Sequence, residues 1–172
     1  MAGGGAGRVA AIDQLDLAAA NVEAGDKGVA VNAYLQSTSN PKIYAAGDAA
    51  DTQGAPLTPV AVFEGKVAAS NMLKGNRTKP DYSGVPSAVF TVPELTRVGM
   101  LEQDAREAGH DIRVVENDTS DWYSNLRVGE SCAATKVIID KDSDTILGAH
   151  LLGPEYGEII NFFGLAIRLG LT

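Results

Sequence analysis

The sequence predicts an α+β (mixed α/β) chain built in two parts, and three observations carry that reading. The second half alternates short strands with helical segments and joins two of the strands through a tight polar turn, the mark of an antiparallel sheet. The first half carries one well-signalled helix, preceded by a short apolar strand that ends in Gly47-Asp48. Between the halves, residues 76–86 (Asn-Arg-Thr-Lys-Pro-Asp-Tyr-Ser-Gly-Val-Pro) form a proline-bearing polar connector. The parts are residues 1–7, a flexible glycine- and alanine-rich lead; residues 8–76; and residues 77–172.

Taken in order, Arg8 to Val22 offers Ile12, Leu15 and Leu17 as its larger apolar residues, and a polar loop follows through Gly28. Val29-Ala30-Val31 and Ile43-Tyr44-Ala45-Ala46 read as strands. Thr58-Pro59 reads as an N-cap followed by proline at the first helical position. The helix runs from there to about Lys74, with Val60, Phe63 and Val67 on one face and Gly75-Asn76 closing it. Beyond the connector, Ser87 to Met100 is a strand pair broken at Pro93, and Leu101 to Ala108 a helix with Gly109 at its C-terminal turn. Asp111 to Val115 and Ala134 to Ile139 are strands, and the turn Lys141-Asp142-Ser143-Asp144 leads into Ile146 to Leu152 as a hairpin. The last helix, about Glu155 to Leu169, is apolar over most of its circumference, so it must be covered on more than one side. Gly157 and Gly164 lie seven residues apart and are expected to admit another backbone there, with Phe163 in the same surface or in the core beneath it.

Composition narrows the function classes. The 172 residues are 45% hydrophobic and 21% charged, ordinary for a folded domain. A net charge of −8 is the wrong sign for a general nucleic-acid binder. No apolar run approaches the ~18 residues of a membrane span, and the N-terminus lacks the basic start and apolar core of a signal peptide. One cysteine, Cys132, excludes an internal disulfide and points to a reducing compartment, so the expected location is cytoplasmic.

Several apparent motifs fail. Gly5-Ala-Gly7-Arg-Val-Ala10 has the spacing of a dinucleotide turn but no room for the strand that must precede it. Asp140-x-Asp142-x-Asp144 begins like a calcium loop, yet Thr145 and Leu151 stand where glycine and glutamate are required. His110 and His150 have no second ligand at zinc spacing. Cys132 has no basic neighbour in sequence and reads as a buried or half-buried small residue. No catalytic residue and no metal ligand is assigned.

The segment Asn40 to Asp48 does carry a chemical rationale. A strand ending in Gly-Asp puts a carboxylate at the C-terminal edge of a sheet, where α/β folds bind ligands. Gly47 lets a ligand approach the backbone, and Asp48 can accept hydrogen bonds from a sugar or sugar-alcohol hydroxyl. The helix starting at Thr58 offers free N–H groups and its positive dipole end nearby.

This arrangement resembles the second flavin-binding motif of the pyridine nucleotide-disulfide oxidoreductases, the family of glutathione reductase, lipoamide dehydrogenase and mercuric reductase. The resemblance runs from Ala6-Gly7-Arg8 through Leu15-Asp-Leu17, Ala30-Val31-Asn32, Ile43-Tyr-Ala-Ala-Gly-Asp48 and Leu57-Thr-Pro-Val-Ala61 to Glu64-Gly65 and Ala68-Ala69. It continues with Val85-Pro-Ser-Ala-Val-Phe-Thr91, Val98-Gly-Met, Leu101-Glu102, Ile146-Leu-Gly-Ala-His150 and Gly153-Pro-x-x-x-Glu158. It implies that residues 8–76 are the C-terminal part of an FAD-binding domain and residues 77–172 a dimerisation (interface) domain, an antiparallel sheet with flanking helices. It implies Gly47, Asp48, Leu57 and Thr58 as cofactor-binding positions: Asp48 toward the flavin ribitol, Leu57 and Thr58 toward the pyrimidine edge. The parent activity is FAD-dependent reduction by NAD(P)H of a disulfide or related acceptor, in a homodimer paired through about residues 85–172.

The match takes in neither the family's N-terminal glycine-rich turn, nor its redox-active cysteine pair, nicotinamide domain and His-Pro-containing tail. The chain alone is therefore expected to be inactive and not to retain FAD. The alternative is a free-standing homodimerisation module without catalytic activity. Asp121 to Arg127, an aromatic-basic stretch, either contacts a partner subunit or covers the sheet.

Overall fold

A computed structural model describes residues 9–172. The glycine-rich lead, the Ala6-Gly7-Arg8 end of the flavin motif and most of the Gly5–Ala10 pattern lie outside the described residues. The chain divides into two units, one ending at Tyr82 and the other spanning Ser83–Thr172.

The first unit is loop-rich. Two short 3₁₀ turns, Asp13–Leu15 and Leu17–Ala20, lead into strands β1 (Ala24–Gly25) and β2 (Gly28–Ala30), which pair antiparallel. Strand β3 (Ala50–Asp51) pairs parallel to β2. Ile43 to Ala46 does not form the expected strand: it makes one isolated bridge, Tyr44 to Gln36. The neighbouring segment turns sharply at Leu35, whose φ is +66°, so a ladder cannot propagate along it.

Helix α1 spans Thr58–Lys74. Leu57, in extended backbone, is its N-cap, and no side chain caps it. Thr58 is therefore the first helical residue, one position later in the cap than its sequence suggests, and Pro59 follows it. Proline is tolerated anywhere in this first turn because those N–H groups have no helical partner. The buried stripe is Val60, Glu64, Val67, Ala68 and Asn71, while Phe63 lies off it and is exposed. Val67 and Ala68 pack on Leu35, with Val31, Tyr44 and Ala46 around them. Asn71 is fully bonded: its amide nitrogen donates to the Tyr34 and Thr78 carbonyls, and its oxygen accepts from the Arg77 and Thr78 N–H groups. That side chain fastens the start of the connector to α1.

The second unit is one five-stranded antiparallel sheet with helices. Its elements are β4 (Ser87–Val89), β5 (Glu94–Gly99), α2 (Glu102–Glu107), β6 (Ile112–Asp118), α3 (Tyr123–Val128), β7 (Ala134–Asp140), β8 (Ile146–Gly153) and α4 (Tyr156–Leu169). The strand order is β4-β5-β8-β7-β6. Alternation along the strands sends Val98, Ala149 and Leu151 to one face, where Tyr156 and Ile160 of α4 cover them. Ile112 and Ile138 point to the other face and meet Ala105 of α2. The peptide bond before Pro93, between β4 and β5, is cis.

Helix α4 corrects two details of the sequence reading. Gly164 makes room within its own chain: a Cβ there would stand 2.6 Å from the Gly84 carbonyl oxygen. Gly157 likewise faces Glu94, whose Oε2 accepts its N–H at 2.7 Å. Phe163 packs against the core, whereas Ile159, Phe162, Leu165 and Leu169 form the outward apolar stripe.

Candidate functional site

Gly47 opens a 3₁₀ turn, Gly47–Ala49, with φ at +63°. Glycine is required there twice over. The left-handed backbone disfavours a side chain, and a Cβ would stand 2.8 Å from the Cβ of Ala61 in the first turns of α1. The close approach that Gly47 permits is thus to the helix.

The turn is held by a buried carboxylate. Glu64 is 1% exposed. Its Oε2 accepts the Gly47 N–H at 2.6 Å. Its Oε1 accepts the hydroxyls of Thr52 at 2.8 Å and Tyr82 at 2.6 Å. Thr52 Oγ1 in turn accepts the Gly54 N–H. Three hydrogen bonds satisfy a carboxylate whose burial would otherwise be costly, and they tie together the Gly47 turn, the 52–54 loop and the middle of the connector. Burial, and then the Glu64 hydrogen bond, push the Tyr82 phenol up to about 12.

These residues surround a cleft of about 430 Å³. Gly47 and Asp48 line it, together with Lys27, Asp51, Thr52 and Glu64. Asp48 is an exposed residue. Leu57 and Thr58 are absent from its lining, which passes from Pro56 to Glu64. The structure therefore brings Gly47 and Asp48 to one cleft and leaves Leu57, half-buried, and Thr58, exposed, at the start of α1 beside it. Sequence reasoning missed Glu64 as the organiser. The available signal was its position four residues after Val60 on a stripe that otherwise buries apolar side chains.

The second unit holds the remaining ionisable residues singled out by sequence. Asp140 does not resemble a calcium ligand in use: its Oδ1 accepts the Asp142 and Ser143 N–H groups, and its Oδ2 lies 2.7 Å from His110 Nδ1. That His110 contact and the Ser143 N–H hold the Asp140 carboxyl down at about 2. Burial pushes the His150 imidazole below its ordinary value. Cys132 is exposed, contrary to the burial expected of it, because the 130–132 segment loops out just before β7. Among the described residues, no group of three His, Cys, Asp or Glu side chains could hold a metal ion. Nor is any helix among them long and apolar enough to cross a membrane.

Residues 85–172 match the pyridine nucleotide-disulphide oxidoreductase dimerisation domain. The chain is 52% identical over 158 residues to an uncharacterized 19.7 kDa protein in the mercuric resistance operon of Staphylococcus aureus, covering 92% of this chain and 88% of that one. It is 36% identical to a mercuric reductase of Staphylococcus aureus across 96% of its own length but only 30% of the reductase. Among solved structures, the HOCl-induced flavoprotein disulfide reductase RclA from Escherichia coli superposes with a TM-score of 0.80 at 29% identity, over 97% of this chain and 38% of RclA. With its sheet and helices matching the dimerisation domain and both units aligned to these reductases, the chain belongs to the pyridine nucleotide-disulphide oxidoreductase family and corresponds to its C-terminal portion.

Proposed function

We propose that the chain is the dimer-forming, flavin-edge portion of an FAD-dependent oxidoreductase that takes electrons from NAD(P)H, and that it pairs as a homodimer through residues 85–172. Residues 8–76 belong to the flavin side and residues 77–172 to the interface side. The carrying observation is the outward stripe of α4: Phe162 is 73% exposed and stands in line with Ile159, Leu165 and Leu169 on a domain whose family pairs through it. A helix with apolar residues on both faces is stable in water only when the second face is also covered. A net charge of −8 favours a protein partner over nucleic acid. The proposed location is the cytoplasm, where the exposed thiol of Cys132 stays reduced.

The cleft at Gly47 and Asp48 suits the ribityl part of FAD. The carboxylates of Asp48 and Asp51 accept hydrogen bonds from hydroxyls, and the volume lies within the range of ligand pockets. When bound, the flavin supplies the hydride chemistry. Asp48 would hold its ribityl hydroxyls, and the α1 N-terminus beginning at Leu57 and Thr58 would offer it a positive dipole end. The chain has a single cysteine, so it brings no dithiol of its own to a disulfide. A second reading, a free-standing homodimerisation module, is favoured by one finding: the 19.7 kDa relative matches this chain over nearly its whole length.

Analytical ultracentrifugation across micromolar concentrations tests the pairing. The expected result is a dimer for the chain and a folded monomer for Phe162→Glu; a chain that is monomeric throughout overturns the proposal. For the flavin role, Asp48→Ala in a full-length reductase carrying this segment should weaken FAD retention by about one to two decades. That follows from a carboxylate hydrogen bond worth roughly 1.5–3 kcal/mol. Unchanged flavin content after extensive dialysis would remove Asp48 from the site. Excess flavin added to the chain itself is expected to leave it colourless under both readings, so retention of the yellow cofactor would count against the free-standing module.

A further inference from the structure

The two buried polar side chains of α1, Glu64 and Asn71, hold more than the Gly47 turn. Between them they pin the walls of a second cleft in the first unit, of about 690 Å³. Glu64 accepts the hydroxyls of Thr52 and Tyr82, and both of those residues line this cleft. Asn71, 1% exposed, donates to the Tyr34 and Thr78 carbonyls and accepts the Thr78 N–H. Tyr34 and Thr78 are the chain neighbours of the lining residues Leu35 and Lys79. The Lys79 ammonium stands over the Tyr34 ring, 5.3 Å from its centroid. A further wall is fixed at Gly28, whose φ is +116° and where a Cβ would stand 2.5 Å from the Ala49 carbonyl oxygen. That close approach seats the β1–β2 turn, which carries Lys27, on the Gly47–Ala49 turn. The walls are therefore set before a ligand arrives, and a ligand is spared the cost of ordering them.

The lining suits one kind of ligand. Val31, Leu35 and Pro80 are apolar, and Leu35 is 1% exposed. Lys27 and Lys79 bring two ammonium groups against a single lining carboxylate, Asp51. Among the described residues, neither lysine forms an ion pair. An excess of positive charge thus lines a cleft in a chain of net charge −8, and a concave wall focuses the field of the charges it carries. The volume falls in the range of small-molecule pockets, which combine apolar lining with a few placed polar groups.

We propose that this cleft binds a small organic anion, an apolar body whose phosphate or carboxylate group meets Lys27 and Lys79. It adjoins the flavin cleft and shares Lys27, Asp51 and Thr52 with it, but Asp48 and the α4 stripe take no part. Its occupancy depends on neither the flavin nor the dimer.

The test is a nuclear magnetic resonance titration of the ¹⁵N-labelled chain with phenyl phosphate, benzoate, inorganic phosphate and phenol. Phenyl phosphate or benzoate should shift the backbone amides of Lys27, Asn32, Gln53 and Lys79 and saturate with a dissociation constant of about 1 mM or lower. Phenol, which has no charge at neutral pH, and inorganic phosphate, which has no apolar body, should each bind about tenfold more weakly. Lys27→Gln and Lys79→Gln, both at exposed positions, should each weaken binding about threefold and together about tenfold, the worth of exposed charge contacts. Lys66→Gln, exposed on α1 and outside both clefts, should leave it unchanged. Tighter binding of phenyl phosphate than of benzoate supports the site with phosphate as its anion, and the reverse supports it with carboxylate. Shifts that do not saturate, or a double variant that binds as well as the unchanged chain, overturn the proposal. Inorganic phosphate that binds as tightly as phenyl phosphate also overturns it, because the cleft would then take a bare ion.

Discussion

Helices α1 and α4 hold their units together in opposite ways. The buried stripe of α1 includes a glutamate and an asparagine seven residues apart, each with all its polar atoms engaged by loop segments. The buried face of α4 is Tyr156, Ile160 and Gly164, seated on Val98, Ala149 and Leu151 of the sheet. Among its described residues the first unit has a three-stranded sheet of very short strands, so its loops need specific hydrogen bonds to stay in place. In the second unit the ladders position the backbone and apolar packing does the rest. The difference suits what each unit is proposed to do: a ligand cleft needs fixed loop atoms, and an interface needs a rigid platform with apolar surface to spare.

The comparison predicts different responses to mutation and to pH. The largest effect is expected in the second unit. Ile160→Ala removes a side chain that is 1% exposed at the centre of the α4–sheet cluster, and it should cost about 2–5 kcal/mol in urea unfolding. A loss below about 1 kcal/mol would mean that packing beneath α4 is not what holds this unit. Next comes Glu64→Leu in the first unit. It leaves the Gly47 N–H and the Thr52 and Tyr82 hydroxyls without their acceptor, at a cost of about 1–3 kcal/mol. Amide hydrogen exchange should speed up at Gly47 and Gly54, and strand β8 should be untouched. Equal acceleration in both units would dissolve the distinction between them.

The smallest effects are titrations, and they act at opposite ends of the pH scale. In the first unit the Tyr82 phenol is raised to about 12 by burial and by Glu64. Its contribution to stability is fully present below pH 10, the phenol's ordinary range, and is lost as pH rises toward 12. Ultraviolet absorbance of phenolate should show one late-titrating tyrosine, which Glu64→Gln returns toward the ordinary range. In the second unit Asp140 is lowered to about 2, chiefly by His110. Its contribution is present above about pH 4 and is lost as pH falls toward 2. His110→Ala should therefore flatten the acid limb of the stability curve and leave the alkaline limb alone.

Much of the fold was legible in residue order. Strand periodicity in the second half, the hairpin at Lys141–Asp144 and the proline-bearing connector all rest on local chemistry, and local chemistry survives folding. The resemblance at Ile43–Asp48 and Leu57–Ala61 gave the family, which the comparisons establish. Thr58 lost its cap role because cap position depends on how the preceding loop enters the helix, a tertiary matter. Periodicity places Phe63 with Val60 and Val67 because it cannot tell which of two adjacent stripes meets a partner, and the structure leaves Phe63 exposed. Gly157 and Gly164, whose spacing predicts the approach of another backbone, face Glu94 and Gly84 of their own chain.

By itself, then, the sequence determined helix α1, most strands of the second unit and the family, since each follows from spacing and from which residues favour a helical or extended backbone. Only the tertiary structure decided that Glu64 holds that turn and that Asp48 shares a cleft with Asp51 and Lys27 while Leu57 and Thr58 do not. It alone separated the inner face of α4 from the outer one. These are relations between residues far apart in the chain, and their partners are chosen by three-dimensional packing and by the need to satisfy buried polar groups.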